Sequence, residues 1–400
     1  MSCLHSQLRI RQGVAPLRIQ VASKDSEGWM PLITDDASKP MARYWYPWLD
    51  SVKGIGILFV VMGHTCTYAP LFRWIYSFHM ALFFIVSGLL FRPKPFVLTA
   101  KRKAFRLLVP YAFFATIMFL YWALLERRMR HGSQSVLNAF LNLFLARAGS
   151  DNYPQNAVLW FLPCLFVTEM LFLVIYRGSR FLAMRTRSKT LVQRITLIVI
   201  AACCLAAGYT LAGVLASTDI RLPWVLDIVP FSLAFVIIGY LAQPLLGSCD
   251  GISRHPGVGL RFGLIALSLL GFSMLWLFDQ ATGLVVNFNE ASISNPVWML
   301  VASLIGLAAT MVLCLGIDNP VLRYLGSASL TIMCVHEPVK RVVIELLGRA
   351  LGMDDSLLRV NLFACLLVVA VTVLICLAGH VLLGRFAPIL IGKKRRAGER

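Results

Sequence analysis

Ten apolar runs, each near the roughly 20 residues that carry a helix across a bilayer, follow one another along the chain and are parted by short polar or basic segments. They cover approximately 48–68, 75–91, 105–125, 158–177, 191–216, 225–246, 260–278, 297–317, 322–347 and 360–384. The second is short. The ninth is interrupted by His336, Glu337, Pro338, Lys340 and Arg341, so it reads either as a full span or as a broken, partly inserted one. In the second case nine spans remain and the two ends of the chain fall on opposite sides. The pattern predicts an all-α, polytopic membrane helix bundle of about ten spans.

Composition supports that class. Hydrophobic residues make up 58% of the 400 positions and charged residues 14%, well beyond a soluble domain. The net charge of +19 would suit nucleic acid, yet the basic residues sit in short segments between apolar runs, which is a topological signature. With the N-terminus inside, 27 Lys and Arg fall on the inner side and 10 on the outer side. Both termini are therefore expected in the cytoplasm, and no nucleic-acid partner is expected. Trp45, Tyr46, Trp48, Trp74 and Tyr76 read as interfacial anchors. Residues 1–40 are polar and mixed and read as a disordered cytoplasmic tail, or as sequence upstream of a start at Met41. A membrane domain over 41–385 and a basic cytoplasmic tail over 386–400 complete the division. Of the ten cysteines, Cys164, Cys203, Cys204, Cys314, Cys334, Cys365 and Cys376 lie in apolar runs without ligand spacing and read as small hydrophobes. No metal site is expected.

The candidate chemistry lies where charge enters apolar helix, because an ionisable group at membrane depth is costly and is functional by default. In the first run, Lys53 and His64 are eleven residues apart, which returns to within about 20° of one helix face and separates them by roughly 16 Å. Asp50 lies about 40° off that stripe and roughly 21 Å from His64. It belongs to the cytoplasmic mouth, and a relay from Asp50 to His64 is excluded in a regular helix. The chain turns back near residue 70, so His79 should reach a depth similar to His64. Each histidine is a candidate general base and also reads as a satisfied polar side chain; Lys53 also reads as a snorkelling lysine. Glu169, within the fourth run, needs a partner there. His336 and Glu337 read as outer-loop or cavity residues alike.

Four blocks carry a resemblance: WLDSVKGIGILFVVMGH, IYSFHMALFFIVSG, VLWFLPCLFVTE and LGSASLTIMCVHEP, in this order between residue 43 and about 384. The chain resembles the acyltransferase 3 family of integral-membrane O-acyltransferases, closest to the branch related to fucose 4-O-acetylases. Members move an acyl group, commonly acetyl from acetyl-CoA, onto hydroxyls of surface glycans. The family's basic residue and histidine, ten residues between them, match Lys53 and His64, and its basic patch matches Lys103 and Arg106 in KAFRLLVPY. Where the family often has FHMPLFF this chain has FHMALFF, so Ala81 replaces a proline and an expected kink.

The resemblance implies an enzyme with acetyl-CoA as donor, no permanently bound cofactor, and a glycan or lipid-linked sugar as acceptor. Arg102, Lys103 and Arg106, with Lys53, would hold the donor, although the basic loop also reads as topology and lipid contact. His64 would be the base, or carry the acyl group briefly, with direct attack favoured. His79 would orient the acceptor or stabilise the oxyanion. Asp50, Glu169 and His336 would support them. The expected location is the cytoplasmic membrane of a bacterium. The rival reading is a glycan exporter or flippase, whose intramembrane His, Lys and Glu would be substrate or proton sites.

Overall fold

Asparagine and proline at the starts of apolar runs set several helix boundaries in the structure, a computed structural model that describes residues 46–129, 135–149, 152, 156–216, 220–254 and 256–393. In chain order the helices are α1 (Pro47–Thr65), α2 (Ala69–Tyr76), α3 (His79–Leu89), α4 (Phe96–Glu126), α5 (Val136–Leu145), α6 (Phe161–Ala183), α7 (Lys189–Ala216), α8 (Val229–Leu241), α9 (Leu245–Arg254) and α10 (Val258–Thr282). A two-stranded hairpin follows, β1 (Val286–Asn287) and β2 (Ser292–Ile293), and then α11 (Pro296–Ile317), α12 (Pro320–Leu351), α13 (Asp355–Val360) and α14 (Leu362–Phe386). The side chains of Asn295, Asn319 and Asn361 each accept from backbone N–H groups of the first turn of the helix that follows. That satisfies donors a helix start leaves orphaned. Pro47, Pro296 and Pro320 sit at the first helical position, where a missing N–H costs nothing.

All ten predicted runs are helical, and the architecture is the all-α polytopic bundle. Among the described residues, eight helical stretches are long and apolar enough to cross a membrane. The runs outside that set are α1 and α12, whose charged residues make them the inner pair. They form the most extensive helix contact among the described residues. Two glycines allow it. A Cβ on Gly54 would lie 2.2 Å from Leu322 O, and one on Gly326 would lie 1.8 Å from Asp50 O. The helices meet backbone to backbone, the small-residue packing that substitutes for a hydrophobic driving force in lipid.

Three expectations need correction. The ninth run is not broken: α12 is one helix of 32 residues with Pro338 inside it, about 48 Å long at 1.5 Å per residue. The second run is instead two helices. The chain breaks at Ser77 and Phe78, where Ser77 Oγ donates to Trp74 O at 2.8 Å and Ser303 Oγ donates to Ser77 O at 2.9 Å. Ala81 is buried inside the regular part of α3, so the bend lies ahead of the position where the family's proline would stand. Finally, Cys365 is no isolated hydrophobe. It forms a disulfide with Cys66, Cα to Cα 5.8 Å, tying the end of α1 to the start of α14.

The expected tail at 1–40 lies outside the described residues, as do 394–400 of the basic C-terminal segment. The described part of that segment turns at Pro388–Ile391, burying Ile391.

Candidate active site

The break before α3 is what aims His79. As the first residue of that helix, it donates from Nδ1 to Ile75 O at 2.9 Å, a carbonyl at the break that also accepts from Phe78 N at 3.3 Å. Its neutral ring therefore presents Nε2 as a lone pair. That nitrogen can accept from a hydroxyl but, while neutral, cannot donate to an oxyanion.

His64 sits in the last turn of α1, and two cations from distant parts of the chain bind the backbone there. Lys340 Nζ donates to His64 O at 2.9 Å, and Arg359 Nε donates to Thr65 O at 3.1 Å. Cationic side chains suit the negative end of a helix and satisfy its last carbonyls. With the Cys66 disulfide next along the chain, the helix end that carries His64 is fixed on three sides.

Around the imidazole, Tyr76 Oη lies 3.4 Å from Nδ1. The His64 and His336 rings are 5.3 Å apart between centroids. His336, fully buried in α12, places Nδ1 against Ile332 O and Met333 O at 3.0 and 2.9 Å. Nδ1 thus carries the hydrogen, and Nε2 is a buried acceptor with no hydrogen-bond partner among the described residues. One turn along, Lys340 Nζ reaches both Glu337 oxygens at 2.8 Å. Arg341 stands 3.7 Å from Glu337 and 2.8 Å from Glu126. The result is a buried ionic network behind His64, with every charge paired as such burial requires.

Ligand atoms of His64, His336 and Glu337 lie within 4.8 Å of one another, a grouping that metals use elsewhere. Here both Glu337 oxygens are engaged by an ammonium, and a second cation beside them would be repelled. The donor set fits an internal ion network better than a metal.

A cavity of about 210 Å³ joins His64, Tyr76 and His79 to the opposite end of α1. Its lining runs from Lys53, Ser87, Leu90 and Leu107 through apolar Ile57, Val60 and Phe83 to His64, Tyr76, His79, Asn287 and Asn289. An apolar slot with a few convergent polar groups is the usual form of a small-molecule site.

The predicted residues divide as follows. Lys53, His64 and His79 line this cavity, and Tyr76 lines it too rather than serving as an interfacial anchor. Asp50 pairs with Lys53 at 2.5 Å. Glu169 finds its partner in Lys103 Nζ at 2.5 Å, and Ser87 Oγ donates to the same carboxylate oxygen at 2.5 Å. Arg102 and Arg106 are exposed. His336 and Glu337 are on no outer loop; they are helical residues packed behind His64. Sequence reasoning missed Tyr76 and Lys340 as site residues and left Glu337 undecided. A buried Glu, Lys and Arg at one-turn spacing in the ninth run was the available signal.

No curated protein and no solved structure matches the chain. The family described as an acyltransferase domain, Acyl_transf_3, matches residues 46–380. That span holds the cavity, both its ends and the ionic network behind His64, and it makes this chain a membrane acyltransferase of the acyltransferase 3 family.

Proposed function

We propose that this acyltransferase moves acetyl from cytosolic acetyl-CoA to a hydroxyl of a surface glycan, with His64 as general base. The observation that carries the proposal is the cavity with Lys53 at one end and His64 and His79 at the other. A donor held by its phosphates at the Lys53 end can extend its thin pantetheine arm along the slot and deliver the thioester to the histidines. Exposed Lys101, Arg102 and Arg106 supply the phosphate contacts. Lys103 is held by Glu169, beneath them, and steadies α4 against α6.

The orientation follows from charge bias, which puts the Lys53 end inside. The Cys66–Cys365 disulfide supports the same orientation, because such bonds persist on the oxidising side of a membrane, and His64 lies two residues from it. At that outer end the acceptor hydroxyl attacks the acyl carbon, and its proton passes to His64. The carbonyl oxygen gains charge and the thiolate of CoA leaves toward the cytosol. Glu337 lies close enough to steady the imidazolium that forms. His79 Nε2 accepts from a neighbouring, non-reacting hydroxyl of the acceptor, and the Tyr76 hydroxyl is a donor available to the oxyanion.

The test uses inverted membrane vesicles given radiolabelled acetyl-CoA on the cytosolic face. Label is expected on glycan when the protein is present. Label remaining on CoA, while unmodified glycan crosses the membrane only with the protein present, would establish the exporter instead. Since Lys340 occupies Glu337, EDTA is expected to leave the transfer rate within about twofold of the untreated rate. A loss of activity restored by Zn²⁺ would place a metal on His64, His336 and Glu337.

A further inference from the structure

The hairpin between α10 and α11 contributes Asn287, Phe288 and Asn289 to the same cavity wall as His64, Tyr76 and His79. It is held in place from several directions. Ser294 N donates to Val285 O at 3.0 Å across its base. Phe288 is buried against Phe231 and Phe235, with ring centroids 6.1 and 6.4 Å away. Asn289 Oδ1 accepts from Gly149 N at 3.1 Å, and Asn289 O accepts from Arg221. Arg221 itself pairs with buried Asp227 at 2.5 Å. β1 also packs against α2, the helix that ends in Tyr76.

This pinning leaves the two asparagines in different states. Both groups of the Asn289 amide are engaged, since its Nδ2 donates to Glu290 Oε1 at 2.9 Å. Asn287 uses only Oδ1, which accepts from Glu290 N at 3.4 Å. Its Nδ2 has no partner among the described residues, and the half-buried side chain lines the cavity. We infer that Asn287 is an acceptor-positioning residue: its Nδ2 donates to a neutral sugar hydroxyl while His79 Nε2 accepts from one. A hydroxyl is the group that both donates and accepts, so it fits between an amide donor and an imidazole lone pair. Arg221, the cation at the hairpin, is already engaged by Asp227 and the Asn289 carbonyl, so the subsite suits the uncharged hydroxyl face of a sugar rather than an anionic group.

The inference rests on the acetyl-transfer reading above. Its test titrates the glycan fraction extracted from the cells that make the protein, with radiolabelled acetyl-CoA as donor, against membranes carrying the intact chain, Asn287→Ala, Asn287→Asp or Asn287→Gln. Alanine is expected to raise the half-saturating glycan concentration about tenfold, the scale of one lost hydrogen bond to substrate, with the KM for acetyl-CoA shifted by less than about twofold. Aspartate keeps the acceptor for Glu290 N, and thus the hairpin, but removes the donor; it should follow alanine. Glutamine keeps an amide donor and should hold the half-saturating glycan concentration close to that of the intact chain. An unchanged glycan dependence in both Asn287→Ala and Asn287→Asp, with wild-type transfer intact, overturns this role alone. Absence of transfer by the wild-type chain overturns the acetyl-transfer reading and the inference together.

Discussion

Replacing His64 with alanine is expected to lower acetyl transfer about a thousandfold while leaving the amount and thermal stability of the membrane protein close to wild type. General-base catalysis is worth about 10² to 10⁴ in rate, and an imidazole at the end of a long cavity has no neighbour that replaces it in place. His336 is close, but its ring is buried behind His64 and does not line the cavity. His79 lines the cavity on a different helix, and in the proposed mechanism it receives a non-reacting hydroxyl of the acceptor. His79→Ala should therefore act chiefly on the glycan KM, by about tenfold. The stability expectation has its own reason: Lys340 and Arg359 bind the backbone carbonyls of His64 and Thr65, and these bonds survive loss of the side chain. Acetyl incorporation into glycan in vesicles, normalised to detergent-extracted protein, measures the outcome. Activity within tenfold of wild type for His64→Ala would remove His64 as base, and His79, which lines the same cavity, would take its place.

Much of the bundle was legible because a bilayer imposes one length and one polarity on every span. Lys53 and His64 were legible for a related reason. They lie on one helix, where spacing converts directly into angle and rise, and the cavity does run along the stripe they define. What stayed hidden depends on tertiary contact. Lys340 binds the His64 carbonyl across 276 residues of chain, and Cys66 finds Cys365 across 299. No periodicity encodes either contact. The charges in the ninth run looked like a flaw in a membrane span, since a span is priced against lipid. Packed against α1, they are paired with one another instead. The break at Ser77 was hidden because Ser303, far along the chain, supplies the bond that stabilises it. Tyr76 was misread for the same reason: an aromatic residue near a helix end suits an interface equally well until its neighbours are known.

Because site and scaffold meet at the contact between α1 and α12, the largest structural effect is expected at Gly326. Its α-carbon faces the backbone of Asp50, and a Cβ there would sit 1.8 Å from Asp50 O and 2.7 Å from Asp50 C. Those are backbone atoms, so no rotamer change relieves the overlap. Gly326→Val must push the two helices apart, which also opens the approach at Gly54 and Leu322. Overpacking a well-fitted interface costs about 1 to 3 kcal/mol and occasionally more, and a rigid backbone contact belongs at the upper end. The same displacement draws His336, Glu337 and Lys340 away from His64, so activity should fall in whatever folded fraction remains. Gly263→Val is the matched control, on the exposed side of α10 with nothing within 4 Å of the added carbon. In detergent, Gly326→Val is expected to melt about 4 °C or more below wild type, or to fail to accumulate, whereas Gly263→Val should stay within about 1 °C. A wild-type melting curve for Gly326→Val would mean that α1 and α12 do not pack through these glycines, and the ionic network could not then be the support that holds His64.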